Sequence, residues 1–216
     1  MTTPPPSVYD YERDGSQIYE RSFAMIRAEA DLTQIPHDAR AVVVRMIHAC
    51  GQVDLPADVV VHDQLVAAAR AALESGAPIF TDAMMIASGI TRKRLPADNN
   101  VVCLLRDPRV AELASTWGTT RSAAAVSLWG DRLEGAVVAI GNAPTALFHL
   151  LELIAAGGPR PAAIVGVPVG FVGSAESKLA LTAFTPAIPH LVVHGRRGGS
   201  ALAVSAINAL AQEREI

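Results

Sequence analysis

The chain has 216 residues, of which 50% are hydrophobic, 18% charged and 5% aromatic, and its formal net charge is −3. This length is typical of one large domain whose core needs neither disulfides nor a metal for stability. The small net charge argues against nucleic acid or an anionic membrane as the main partner. Two cysteines, Cys50 and Cys103, form neither a disulfide framework nor a zinc ligand set, which favours a cytoplasmic location.

Residues 1–9 are polar and include three consecutive prolines, without the basic and apolar regions of a secretory signal peptide. We predict a disordered tail over residues 1–9 and a single α/β domain over residues 10–216. The stretch Gly135–Gly158 is long and apolar enough to suggest a membrane span. Polar residues and glycines interrupt it, however, so it predicts a buried strand followed by a helix in a soluble protein.

Five short apolar runs along the second part of the chain predict the strands of a sheet. They are Ala77–Thr81, Val101–Leu105, Ala136–Ile140, Ala163–Val167 and Leu191–Val193. Continuous rather than alternating apolarity is typical of parallel strands that are buried on both faces. The intervening segments are long enough for right-handed crossover helices. We therefore predict an open, doubly wound, mainly parallel sheet of about five strands, with helices on both faces.

Three helices without strands are predicted ahead of the sheet. They run from Asp14 to about Ala30, from Asp38 to about Cys50, and from about Asp63 to Ser75. Asp14 and Gln17 form a capping box for the first helix, and Asp38 is an N-cap candidate for the second. Gly51 is the expected end of the second helix, because glycine favours the left-handed conformation at a C-terminus.

Small residues follow three of the predicted strands, in the segments Gly141–Thr145, Val167–Ser174 and Gly195–Ser200. Ligands of open α/β sheets bind at the carboxyl ends of strands, where helix N-termini present free amides. Turn geometry alone explains any one such segment. The three together, the last with the paired arginines Arg196 and Arg197, favour an anionic ligand. Neither glycine-rich nucleotide signature is present, so nucleotide binding is not supported.

Histidine is the best general acid or base near neutral pH, and His48 is the strongest candidate. It lies near the end of a predicted helix, one turn after Arg45 and on the same face. This pairing suggests an acid beside an anion anchor, although a helix-terminal histidine also simply complements the helix dipole. His190 and His194 are separated by roughly 13 Å of strand, too far to bind one metal. We interpret His149 as a packing residue.

Arg121 opens a predicted helix that carries Trp129. A cation in the first turn of a helix opposes the dipole, which suggests an anionic partner; a solvated surface arginine is the alternative. No carboxylate pair, nucleophile elbow or cysteine–histidine cluster stands out. From the residues alone, we predict an α/β protein that binds a small anionic ligand, without a metal site.

Six motifs, in unbroken order between Asp10 and Ala211, resemble those of the precorrin-8X methylmutase (precorrin isomerase) family. They are Asp10–Tyr11 with Ile18–Phe23 and Ile26–Ala30, Arg45–Gly51, Thr120–Ala124, Gly141–Leu147, Pro168–Gly173 with Glu176–Lys178, and Gly195–Arg196 with Gly198–Ser200. The resemblance implies a cytoplasmic α/β homodimer of cobalamin biosynthesis. It implies transfer of a methyl group from C-11 to C-12 of the corrin precursor, giving hydrogenobyrinate, without a cofactor.

The resemblance also implies roles for individual residues. His48 corresponds to the family's catalytic acid/base. The residues expected to bind the tetrapyrrole substrate are Ser22, Arg45, Thr91, Arg121, Ser122, Gly141 and Asn142. A tetrapyrrole edged with carboxylates needs many cationic contacts, and a methyl shift within one molecule needs neither nucleophile nor metal. Both requirements agree with the residues present.

Three other functions stay open at this point. The first is the same reaction on cobalt-precorrin-8. The second is a carrier that retains a corrinoid intermediate and hands it to a neighbouring enzyme of the pathway. The third is an unrelated α/β enzyme that acts on a phosphorylated metabolite, against which the missing phosphate-loop signatures count.

Overall fold

The computed structural model describes residues 8–212, which form six strands and nine helices. The strands are β1 (Val59–Val61), β2 (Ile79–Thr81), β3 (Val101–Val102), β4 (Val137–Ile140), β5 (Ala163–Gly166) and β6 (His190–Val193). The helices are α1 (Gly15–Glu29), α2 (Arg40–Cys50), α3 (Leu65–Glu74), α4 (Met84–Gly89), α5 (Arg109–Trp117), α6 (Arg121–Ser127), α7 (Pro144–Ala155), α8 (Ser174–Thr182) and α9 (Ser200–Leu210). Of the predicted tail, residues 1–7 lie outside the described part, and Val8 and Tyr9 are exposed.

The strands form one sheet in the order β1-β6-β5-β4-β2-β3. Strands β2 to β6 are parallel, which confirms the predicted mainly parallel sheet. Strand β1 pairs antiparallel with β6, with Val59 opposite Val193. The expectation that only helices precede the sheet is therefore wrong. Strand β1 has three residues at the sheet edge, too few to show any hydrophobic period.

Helices cover both faces of the sheet, as predicted. Alternate residues of one strand point to opposite faces, so Val137 packs in one core cluster and its neighbour Val138 in the other. The first cluster includes side chains of α2, α3 and α9, and the second includes α7. Helix α2 packs on α9, and α1 packs on α2 as a further layer. Within residues 8–212, no helix is both long and apolar enough to cross a membrane.

The N-termini of the first two helices differ in detail from the predicted caps. Asp14 accepts hydrogen bonds from the backbone N–H of Ser16 at 2.8 Å and of Gln17 at 3.3 Å. The N–H of Asp14 donates to Oε1 of Glu12 at 3.0 Å, and not to Gln17 as a capping box requires. Asp38 does not cap α2, because a 3₁₀ turn leads directly into this helix. Gly51 ends α2 with φ of 69°, as predicted.

One buried carboxylate joins the two central strands at their carboxyl ends. Strand β2 connects outward to β3, and β4 connects to β5 on its other side, so the topological switch point lies between β2 and β4. Asp82 directly follows β2 and is only 3% exposed. It accepts hydrogen bonds from the backbone N–H of Gly141 (3.1 Å), Asn142 (3.0 Å) and Ala143 (2.7 Å). Burial raises the pKa of Asp82, whereas the three donors favour its ionised form.

We expect Asp82→Asn to lower the free energy of unfolding by about 1–3 kcal/mol, because at least one buried backbone donor loses its acceptor. The bond from Gly141 goes to Oδ1 of Asp82 and the other two go to Oδ2, whereas an asparagine has only one oxygen. Urea unfolding measures the change. Asp31→Asn is the matched control, since both hydrogen bonds of this exposed carboxylate use Oδ1 alone. Equal, small losses in both variants would contradict the assigned role of Asp82.

Candidate active site

His48 is held between helices α1 and α2. It lies in the last turn of α2, and its half-buried ring stacks on Phe23 of α1, with ring centres 5.0 Å apart and planes at 16°. The ring of Tyr19, one turn earlier on α1, lies 5.3 Å from the imidazole. These contacts fix the plane of the ring and leave part of it accessible. Such an imidazole can donate and accept a proton at a defined position.

Two cationic side chains lie near the aromatic residues that hold His48. The guanidinium of Arg45 lies 5.7 Å from the ring centre of Phe23. Phe23 is also the residue on which His48 stacks. Burial and, to a smaller extent, the nearby charge of Arg45 lower the pKa of Arg94. Arg94 donates from Nε to the carbonyl of Asn208 at 3.1 Å. Two neighbouring guanidinium groups produce a positive potential that favours an anionic ligand.

A groove of about 340 Å³ runs beside His48, between α1 and the end of α2. Its lining includes Ser22, Met25, Ile47 and Val53 together with His48. The structure thus brings together three of the predicted site residues, namely Ser22, Arg45 and His48.

Thr91 lies at the edge of the same region. Its backbone N–H donates to Oδ1 of Asn208 on α9 at 2.9 Å, and its carbonyl accepts from the N–H of Arg94 at 2.9 Å. Both contacts fix the backbone and leave the side chain exposed. Thr91 is therefore adjacent to the arginine that lies near Arg45.

The other predicted residues lie at the starts of α6 and α7. The hydroxyls of Thr120 and Thr145 are 2.8 Å apart, which brings Arg121 and Ser122 close to the loop that contains Asn142. Arg121 and Asn142 are exposed. Helices α6 and α7 cover the face of the sheet opposite to α2. The candidate residues of one chain thus form two groups, one near α1 and the end of α2 and the other at the starts of α6 and α7.

Gly141 and its neighbours do not present free amides to a ligand, contrary to expectation. Their N–H groups already bond to Asp82, so the anion at this helix start is a side chain of the protein itself. A Cβ atom at Gly141 would lie 2.9 Å from both Ala203 and the carbonyl oxygen of Gly199. Gly141 is thus required by the close approach of α9.

Two further expectations are corrected on this side of the sheet. Helix α6 ends at Ser127, before Trp129. His149 is not a simple packing residue: its Nε2 lies 2.6 Å from the hydroxyl of Ser127, and its Nδ1 lies 3.5 Å from Glu152. Ser127, His149 and Glu152 thus lie in the order of a catalytic triad, but the two backbone N–H groups after Ser127 bond to helix carbonyls and are not available to bind an oxyanion.

The carboxyl edge of the sheet also exposes apolar side chains. Met85 follows β2 and is 71% exposed, while Phe171 and Val172 follow β5 and are 81% and 90% exposed. The guanidinium of Arg196 lies 5.0 Å from the ring centre of Phe171. An apolar surface with cations beside it suits a flat, largely apolar ligand with an anionic rim.

Three kinds of site residue were missed from the sequence. Asp82 could have been identified, since it directly follows a predicted buried strand at the edge where ligands bind. Tyr19 and Phe23 have the i, i+4 spacing of one helix face, but that spacing is equally typical of a core. The proximity of Arg94 to Arg45 could not be predicted, because it depends on how α2 and α4 pack on α9.

The chain is similar to several known proteins. A family model described as precorrin-8X methylmutase matches residues 17–213. A precorrin-8X methylmutase from a Sinorhizobium species is 58% identical over 94% of this chain and 97% of its own length. A cobalt-precorrin-8 methylmutase from Leptospira interrogans is 36% identical over 91% and 92%, respectively. The crystal structure of a precorrin-8X methylmutase from Thermus thermophilus has a TM-score of 0.82 and 41% identity, covering 91% of this chain and 95% of that one. The chain belongs to the precorrin-8X methylmutase family.

Proposed function

We propose that this protein is the isomerase that moves the C-11 methyl group of precorrin-8X to C-12, giving hydrogenobyrinate in cobalamin biosynthesis. The observation that carries the proposal is the position of His48, stacked on Phe23 with Arg45 one turn away and a groove beside it. The cobalt-free substrate is favoured because identity is 58% to a relative named for it and 36% to one named for the cobalt form.

His48 acts as a general acid and then as a base in this proposal. The bond from the methyl group to C-11 breaks and its bond to C-12 forms, so substrate and product contain the same atoms. Any proton that His48 gives to the macrocycle must therefore return to it before the next turnover. A positioned acid contributes about 10²–10⁴-fold to the rate, and orientation of the ring contributes more.

Substrate binding uses both groups of candidate residues. Ser22, Arg45 and Thr91 contact the macrocycle on the side of His48. Contacts at the starts of α6 and α7 come from Arg121, Ser122 and Asn142, whereas the buried Gly141 supports this loop from below. The arginines pair with the acetate and propionate groups of the tetrapyrrole, since charge-assisted contacts of this kind are strong and directional. The exposed apolar side chains of the carboxyl edge suit the body of the ring.

We also propose a cytoplasmic homodimer. The outer surface of α1 exposes Ile18 (42%), Tyr19 (43%) and Met25 (58%), and Val53 lines the same groove as Met25. A second copy of the chain that packs on this surface removes apolar area from water and forms one wall of the groove beside His48. The thiols of Cys50 and Cys103 are both free, which suits a reducing compartment.

Product handover to the next enzyme of the pathway is a further part of the proposal. Product and substrate differ only in the position of one methyl group, so the same contacts hold both. Slow product release is therefore expected, and a carrier would show the same tight binding. Turnover distinguishes an enzyme from a carrier.

We expect His48→Ala to lower kcat by about 10²–10⁴-fold while affinity for hydrogenobyrinate changes little, because the arginine contacts remain. The conversion of precorrin-8X is followed by visible absorption, and product binding by titration. His37→Asn is the control, since this histidine is exposed in the turn before α2.

The outcomes of this experiment distinguish an isomerase that uses His48 from a carrier and from an unrelated protein. Equal activity of His48→Ala and wild type would exclude His48 as the acid. Wild-type protein that binds the corrinoid but converts neither precorrin-8X nor cobalt-precorrin-8 would be a carrier. Failure to bind either substrate would exclude the proposed function.

We expect Arg121→Gln to raise KM by about 10- to 100-fold with a smaller change in kcat, because it removes one charge-assisted contact to a substrate carboxylate. Initial rates at several precorrin-8X concentrations give both constants. Arg109→Gln is the control, since Arg109 is an exposed arginine on α5 whose side chain pairs with Asp107 at 2.9 Å. An unchanged KM for Arg121→Gln would remove this residue from the binding site.

We expect analytical ultracentrifugation to give a mass of about twice the 22.6 kDa of one chain. Met25→Lys places a charge on the proposed interface and should shift the protein toward the monomer. Leu179→Lys is the matched control, because Leu179 is 55% exposed on α8 and lies outside the groove residues. A wild-type protein that sediments as a monomer at micromolar concentration would contradict the proposed dimer.

A further inference from the structure

Lys178 on α8 is completely buried, with 0% of the residue exposed. Lysine is seldom buried in this way, because removal of the ammonium group from water is costly. Its Nζ donates a hydrogen bond of 2.7 Å to the backbone carbonyl of Arg197. Burial lowers the pKa of Lys178 to about 8, and the nearby carboxylate of Asp58 acts in the opposite direction. A methionine would fill similar space without this cost, so packing alone does not account for the lysine.

The side chain of Arg197 extends the contact toward α2. Its Nε donates to Oε1 of Gln52 at 3.0 Å, and its terminal nitrogens bond to Asp54 at 2.9 Å and Asp58 at 3.0 Å. Gln52 directly follows Gly51, the residue that ends α2. Arg197 therefore holds the segment through which the chain leaves this helix.

The loop that contains Arg197 is itself fixed to the carboxyl edge of the sheet. The N–H of Gly199 donates to the carbonyl of Val167 at 2.8 Å, and the hydroxyl of Ser174 donates to the carbonyl of Pro168 at 2.8 Å. A series of directional contacts thus runs from α8 and the loops after β5 and β6 to the end of α2. We call Lys178 and Arg197, with the groups that they bind, the strut.

The strut supplies a constraint that the core does not. Helix α2 packs on α9 largely through apolar side chains, and apolar burial is not directional. Hydrogen bonds to Gln52, Asp54 and Asp58 depend on distance and angle, so they fix the end of α2 in position. His48 lies in the last turn of this helix.

We propose that Lys178 and Arg197 are positioning residues for His48: they hold the last turn of α2 at the distance from the carboxyl edge that the proton transfer requires. The proposal rests on the proposed function, in which His48 is the acid. A purely structural strut would affect stability and leave the kinetic constants of the folded protein unchanged.

The test compares Lys178→Met and Arg197→Lys with wild type in precorrin-8X turnover, below the unfolding temperature of every variant. We expect kcat to fall about 10- to 100-fold, because small displacements of a catalytic group are costly, while KM and hydrogenobyrinate affinity change about two-fold or less. Arg197 is partly exposed, so we expect Arg197→Lys to fold. This variant alone tests the proposal if Lys178→Met does not fold.

Arg160→Met is the control for the loss of a cation–carbonyl contact. Arg160 donates to the carbonyl of Pro186 at 2.9 Å, but it lies before β5, at the amino end of the sheet. We expect its kcat to match that of wild type. An unchanged kcat in Lys178→Met or Arg197→Lys would overturn the proposal.

Two readouts separate positioning from general damage. In the His48→Ala background, Lys178→Met should cause little further loss of residual activity, since its effect acts through His48. The same fold loss in both backgrounds would overturn the proposal. The proton NMR signal of the His48 ring, which stacks on Phe23 at 5.0 Å, should move in the strut variants and stay in place in Arg160→Met. This signal tests the strut even if the wild-type protein shows no turnover, an outcome that would refute only the proposed function.

Discussion

The carboxylate of Asp82 is the contact on which the arrangement of the carboxyl edge depends, because it joins the ends of β2 and β4 where the sheet connections diverge. In most open α/β proteins this crevice is the place where a ligand meets the free amides of a helix start. Here the amides of Gly141, Asn142 and Ala143 bond to Asp82 instead. These bonds fix the loop before α7. The carboxylate of Asp82 also lies at the positive end of the α7 dipole, where a ligand anion would otherwise bind.

This internal anion determines how a negatively charged substrate can be recognised. Because the start of α7 is occupied, we expect cationic side chains to bind the substrate carboxylates. Arg45 and Arg94 near His48, and Arg121 at the start of α6, are the candidates. Side chains reach further than backbone amides and adapt to several positions. That property suits carboxylates on flexible acetate and propionate arms around a wide ring, whereas a fixed cradle of amides suits a compact phosphate. The absence of a phosphate-loop signature from the sequence agrees with this difference.

The sheet could be predicted from the sequence because continuous apolar runs are a direct consequence of burial on both faces. Strand β1 could not, since its three residues pair only at the edge and owe their conformation to β6. The position of Gly51 was predictable because a left-handed residue at a helix end is a local requirement, whereas Asp38 failed as a cap because a 3₁₀ turn replaced the expected helix start.

The candidate site shows the same division between local and tertiary causes. That Arg45 and His48 share a face follows from helix geometry, but the stacking of His48 on Phe23 depends on how α1 crosses α2. The resemblance to a family named His48 and Ser22 without that geometry. The resemblance did not indicate why Gly141 is a glycine, which follows from its distance to α9.

An isomerisation within one molecule makes unusual demands on a protein. No group leaves and no second substrate enters, and in the proposed mechanism His48 recovers its proton in each cycle, so the site needs few reactive groups. The rate then depends chiefly on where the imidazole stands relative to a ring that many contacts hold in place. A buried ammonium group and a buried carboxylate, each bound to backbone groups, are costly means of holding loops and a helix end. These costs are consistent with the proposed role of His48, since its displacement by a fraction of a helical turn would move the proposed acid away from the two carbon atoms between which the methyl group migrates.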